Sequence, residues 1–175
     1  MNRHSLLRLS VISAAGFALL PGSAVGQQKS LKEQLVGAWN LTAQERTASD
    51  GTKVQTYGAN PKGMAYYGAD GRFFVLFARA DLPKIAANNR AKATPEEAKA
   101  LVSGTIAYSG TYTVDEPSKT ITLRVEATTF PNQSVDQKRI ITSLTANELK
   151  FTNPTATGGA RIEVTLKRAP AAATN

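Results

Sequence analysis

The sequence predicts an all-β protein, an antiparallel up-and-down barrel of about eight to ten strands with one short helix at about residues 95–103. Three observations carry this. Apolar residues alternate with period two through most of the chain, turn signals separate the alternating segments at short intervals, and one segment alone carries helix start and stop signals. Closure into a barrel removes the two exposed edges that an open sheet of hairpins would leave.

The elements follow in order. LVGAWNLTAQER, residues 35–46, sets Leu35, Trp39, Leu41 and Ala43 on one face and Asn40, Thr42 and Gln44 on the other. SDGT at 49–52 is a turn and KVQTYG a short, weak strand. MAYYG and RFFVLFA form a hairpin about Ala69-Asp70-Gly71, and the second arm, apolar on both faces, belongs deep in the sheet. DLPKIAANNRAK breaks the alternation. Thr94 then stands as a helix N-cap, Pro95 at the first helical position, Glu97 as the far half of a capping box, and Gly104 as the stop. This interruption, residues 81–97, reads either as a lid over a barrel mouth or as a plain connection.

Strands resume with TIAYSGTYTVD, where Ile106, Tyr108, Gly110, Tyr112 and Val114 share a face. In KTITLRVEATTF, Ile121, Leu123, Val125 and Ala127 line one side, and Arg124 and Glu126 share the opposite, solvated one with three threonines. QKRIITSL, ELKFTN and ARIEVTLKR complete the set, the last with Ile162, Val164, Leu166 and Arg168 aligned. The barrel domain is expected over 34–168, after a linker at 27–33 and before a disordered tail at 169–175.

Residues 1–26 read as a cleaved secretory signal peptide. They have a basic start, an apolar stretch from Leu9 to Leu20 and a small-residue triplet Ala24-Val25-Gly26. The apolar stretch is about 12 residues, against roughly 20 for a bilayer crossing. The expected location is therefore periplasmic or secreted, with no integral membrane span in the mature chain. Without these residues Lys plus Arg falls from 21 to 19 against 13 acids, a net charge of about +6. The cations are scattered, which argues against a nucleic-acid groove.

Two absences narrow the chemistry. There is no cysteine, and the one histidine, His4, lies in the leader. A chain lacking both after processing has no Ser-His-Asp or Cys-His mechanism, no thiolate site and no ordinary transition-metal site. No cofactor or metal is expected.

Gly37-x-Trp39, then GMAYYGADGRFFV, the segment from TPEEAKALVSG through AYSGTY to the Phe130-Pro131-Asn132 corner, and KRIITSL with Lys167-Arg168 at the end resemble the bacterial and fungal lipocalin-like domain family. The resemblance runs from about Leu35 to Arg168. It implies a small barrel with an internal cavity and, from relatives in biosynthetic pathways, an activity on hydrophobic small molecules in some members. The chain departs from the pattern at Leu123-Arg124, where the family often has a histidine, and at Gln133, where an aromatic often follows the corner. Both departures weaken the transfer of a catalytic group.

The expected ligand-binding residues are Trp39, Met64, Tyr66, Phe73, Phe77, Tyr108, Tyr112 and Arg139: an apolar wall with hydroxyls for orientation and a guanidinium to meet a carboxylate. Arg168 is expected to stack on Trp39 and close one end. The leading function is the binding of a small hydrophobic molecule, with or without an anionic end. Two alternatives stand beside it: a cofactor-free isomerase or cyclase in the same cavity, and a filled barrel serving as an envelope protein-interaction module.

Overall fold

The computed structural model describes residues 29–156 and 160–171. The leader, its cleavage triplet, the glycine pair Gly158-Gly159 and the last four residues lie outside them. Nine strands form one antiparallel sheet: β1 (Gly37–Thr47), β2 (Lys53–Gln55), β3 (Lys62–Tyr67), β4 (Arg72–Ala78), β5 (Thr105–Asp115), β6 (Thr120–Thr128), β7 (Asp136–Leu144), β8 (Glu148–Asn153) and β9 (Arg161–Arg168). Each strand from β3 to β9 pairs with the next, and β1 pairs with both β3 and β9, which closes an eight-stranded barrel. The short β2 adds to the far end of β1, beside Glu45, Arg46 and Thr47.

Two α-helices and a single 3-10 turn (Arg90–Lys92) accompany the strands. α2 (Pro95–Gly104) has the expected start, with the Thr94 hydroxyl accepting from Glu97 N and the Glu97 carboxylate accepting from Thr94 N. α1 (Leu31–Leu35) was not expected and replaces part of the predicted linker and the first residues of the predicted strand. Its cause is a second capping box, Ser30 with Glu33. Glu116, from the β5–β6 turn, then accepts from the backbone N–H groups of Leu31 and Lys32 and ties the helix to the barrel.

α1 seals one barrel end. Trp39 is wholly buried and its indole N–H donates to Leu35 O at 2.8 Å. The Arg168 guanidinium lies 4.0 Å over the Trp39 ring and donates to three backbone carbonyls: Ala146 at 2.5 Å, Val36 at 3.0 Å and Gln34 at 2.7 Å. Gly37 sits at φ +124°, and a Cβ there would come within 3.0 Å of Arg168 Nη1, so glycine is what lets the arginine cross. Tyr112, whose hydroxyl donates to Gly68 O at 2.8 Å, packs edge-on to Tyr67 in the same end.

Register shifts interrupt the pairing at three places, in β1, in β6 and in β7 between Ile141 and Ser143, and the first two bear on the expected inward faces. β1 shifts register between Leu41 and Ala43, so Gln44 turns inward where strict alternation put Ala43. β6 skips Glu126 opposite Ser109 and Gly110, leaving Ala127 exposed although Ile121, Leu123 and Val125 are buried as expected. Fully burying an aliphatic or aromatic side chain contributes roughly 1.5–3 kcal/mol. The seven largest such side chains, among them Trp39, Tyr67, Leu149 and Leu166, pack away from the cavity described next.

Candidate functional site

The other end of the barrel is open. It is formed where β1, β4 and β8 finish and β5, β7 and β9 begin. A cavity of about 420 Å³ occupies it, within the usual range for small-molecule sites. Its apolar wall comes from Tyr57, Phe77, Ile106, Tyr108, Phe130, Phe151, Ile162 and Val164. Polar groups alternate with these: Gln44 and Arg46 on β1, Asn132, Gln133 and Ser134 on the β6–β7 loop, Gln137 and Arg139 on β7, and Asn153 on β8. β1, β7 and β8 carry polar residues at the mouth, whereas β4, β5 and β9 present Phe77, Ile106 and Ile162 there.

Arg139 is the unusual member. It is 4 % exposed, yet among the described residues no carboxylate lies within ion-pair distance of it. Its Nη1 donates to Lys138 O at 3.0 Å, and its Nη2 donates to the Tyr108 hydroxyl at 3.4 Å and to the Gln137 amide oxygen. The guanidinium also lies 5.9 Å from the centre of the Phe151 ring. Of five N–H groups, two have no partner among the described residues. Burying a cation without a counter-charge is costly unless hydrogen bonds compensate it.

Tyr57 faces the same space from the turn after β2, edge-on to Phe77 at 6.2 Å. Burial raises its phenol far above the ordinary value, the neighbouring Tyr108 adds to the effect, and a hydrogen bond with Gln44 opposes it. Tyr57 therefore stays protonated and able to donate. Asp136 is the cavity's one carboxylate among the described residues and stands exposed on the rim.

Only three of the eight expected ligand-binding residues, Phe77, Tyr108 and Arg139, line the cavity. Trp39, Phe73 and Tyr112 are buried in the packed part of the barrel and touch no open space. Met64 and Tyr66 point outward, 39 % and 48 % exposed, because the neighbouring positions Ala65 and Tyr67 are the ones turned inward. In MAYY both faces are apolar, so alternation alone gave no sign of which way the strand turns. The residues that sequence reasoning missed are mostly polar. Gln44 and Arg46 were hidden by the bulge, whereas the run Asn132-Gln133-Ser134 and the series Gln137, Arg139, Ile141 were legible as a polar rim grading into an apolar floor.

Of the two readings of residues 81–97, lid or plain connection, the structure favours the connection, since no residue between Arg79 and Gly104 lines the cavity. The segment runs along the outside, and the Glu97 carboxylate fixes it by accepting from Ala86 N. Arg124 and Glu126 are exposed, as expected of a solvated face.

A closed antiparallel barrel, sealed at one end and hollow at the other, is compatible with the binding of a small molecule. A family model described as a lipocalin-like domain matches residues 36–174, and the chain belongs to that family. None of the curated proteins matches it. Among solved structures, a lipocalin-like protein from Bacteroides uniformis is 13 % identical, with 78 % of this chain and 99 % of that chain covered and a TM-score of 0.42. A de novo designed fluorescence-activating β-barrel is 9 % identical, covering 81 % and 100 %, with a TM-score of 0.42. A redesigned β-barrel bound to DFHBI is 16 % identical, covering 80 % and 100 %, with a TM-score of 0.41.

Proposed function

We propose that the protein binds a small amphipathic carboxylate in the open end of its barrel, the acid group meeting Arg139 and the apolar body lying against Phe77, Tyr108 and Phe151. The observation that carries this is the buried Arg139 guanidinium, unpaired among the described residues, on the wall of a cavity of about 420 Å³. A carboxylate there would accept from a free N–H of the guanidinium and supply the missing counter-charge. The cavity is more polar than the hydrophobic site expected from sequence, which favours ligands carrying hydrogen-bonding groups beside the acid. Tyr57, held protonated, and the amides of Gln44 and Gln137 suit recognition more than proton transfer, so the carrier reading is preferred to the isomerase or cyclase. The hollow end also speaks against a wholly filled barrel. Export is part of the proposal and rests on the basic, apolar and small-residue pattern of 1–26; the protein taken from its host is expected to begin near Gln27, and an N-terminus at Met1 would refute it.

The test is calorimetric titration with matched pairs of aromatic and medium-chain carboxylic acids and their primary amides. An acid is expected to bind at least tenfold more tightly than its amide, and Arg139→Gln to abolish the difference. Equal binding of acid and amide by the parent protein would overturn the proposal.

A further inference from the structure

The outer wall of the β3–β4 hairpin carries an apolar patch that the cavity does not explain. Met64 stands directly opposite Leu76, and Tyr66 opposite Phe74, so four large side chains form a two-by-two block on adjacent strands. All four are between 39 % and 48 % exposed. The positions that flank them on β1 and β5 hold small or uncharged residues, so the block is not broken up by charge. Contiguous exposed apolar surface of this kind marks an interaction site.

Its surroundings indicate the occupant. Lys62 lies one row beyond the block on the mouth side and Arg72 one row beyond it on the sealed side, where Arg72 makes only a loose 3.7 Å ion pair with Glu126, both partners being solvated. The sheet is closed at this point, so no free strand edge is available for pairing with another chain. The wall of an eight-stranded barrel is also convex. Two convex walls meet over a narrow strip, well short of the roughly 800 Å² per partner that a stable protein interface needs. A lipid surface deforms around a convex wall, takes up aromatic and aliphatic side chains at headgroup depth, and, if anionic, attracts flanking cations.

We infer that the β3–β4 wall is a docking face for an anionic phospholipid surface, with Met64, Tyr66, Phe74 and Leu76 entering the interface and Lys62 and Arg72 meeting headgroups. The inference is independent of what occupies the cavity. A barrel held on its side in this way keeps its open end clear of the lipid phase and close to it.

The test is co-sedimentation of the purified chain with vesicles of phosphatidylglycerol and phosphatidylcholine, compared with vesicles of phosphatidylcholine alone. Phe74→Asp is expected to lower binding to the anionic vesicles at least tenfold. Ile140→Asp, on the diametrically opposite strand β7 and similarly exposed at 41 %, is expected to leave it unchanged. The chain used begins at Gln27, because the basic, apolar stretch of residues 1–26 would itself enter vesicles. Raising the salt is expected to weaken the binding, because the flanking cations are solvated. No binding, equal binding to neutral vesicles, or equal losses from both substitutions would overturn the inference. So would a concentration-dependent dimer in sedimentation equilibrium that Phe74→Asp dissociates, since a second copy would then cover the patch. Unchanged near-ultraviolet circular dichroism verifies that each variant is folded.

Discussion

Arg139 and Arg168 are both arginines on an inward face, and their surroundings give them opposite roles. Arg168 donates three hydrogen bonds to backbone carbonyls and stacks on the Trp39 ring, which makes it a fastener of the sealed end. Arg139 also donates three hydrogen bonds, but it lines open space with room for a guest. Hydrogen bonds from a charged donor contribute roughly 1.5–3 kcal/mol each, so Arg168→Ala is expected to destabilise the barrel by about 3–5 kcal/mol in urea unfolding. Arg168→Lys is expected to recover less than half of that loss, because one ammonium cannot span three carbonyls and stack on a ring. A loss below about 1 kcal/mol for the alanine variant would show that the fastening is not needed. The stacking of Arg168 on Trp39 was legible in the sequence from the alternation of RIEVTLKR; the want of a carboxylate partner for Arg139 was not, since it depends on which carboxylates the fold keeps away.

At the scale of elements, the two capping boxes are chemically alike and differently placed. Ser30→Ala and Thr94→Ala should each remove about 1 kcal/mol from their own helix. α1 supplies the Leu35 and Gln34 carbonyls that hold Trp39 and Arg168, so Ser30→Ala is expected to lower global stability. α2 touches the barrel chiefly along β5, so Thr94→Ala is expected to leave the global midpoint in place while amide exchange across 95–104 quickens about fivefold. Loss of global stability in the Thr94 variant instead would tie α2 to the barrel. The sequence disclosed all nine strands, their hairpin order and α2, because alternation and turn residues are local signals. It contained the Ser30-x-x-Glu33 signature of α1 too, but the apolar Leu35 beside a strand-like run drew the strand start too early. The bulges at Thr42 and Glu126 left no such local mark. Each exists because strands must stagger to close, a demand made by the whole barrel on residues that would otherwise alternate. That is why Gln44 and Arg46 escaped the expected site.

For the whole molecule, the buried phenols set an alkaline limit. Burial raises Tyr57 and Tyr67 above the ordinary value of 10, and Tyr112 moves in the same direction. The unfolded chain gives up these protons above pH 10 while the folded barrel keeps them, so the unfolded state then binds fewer protons and unfolding becomes easier as pH rises. Stability is expected to be level with respect to these groups below pH 10 and to fall above it, by up to about 1.4 kcal/mol per pH unit for each phenol still protonated in the barrel. Urea midpoints measured from pH 9 to 11 check this, and tyrosinate absorbance should rise with unfolding in step. A stability that stays flat or increases over that range would contradict the burial of these hydroxyls.

The placement of the only tryptophan at the sealed end has a consequence for optical work on this protein. Its emission reports the integrity of the plug, whereas a guest entering from the opposite end meets tyrosines. A silent tryptophan signal during a titration is therefore the expected behaviour of an occupied barrel, and tyrosine-to-tryptophan energy transfer becomes the natural gauge of what enters.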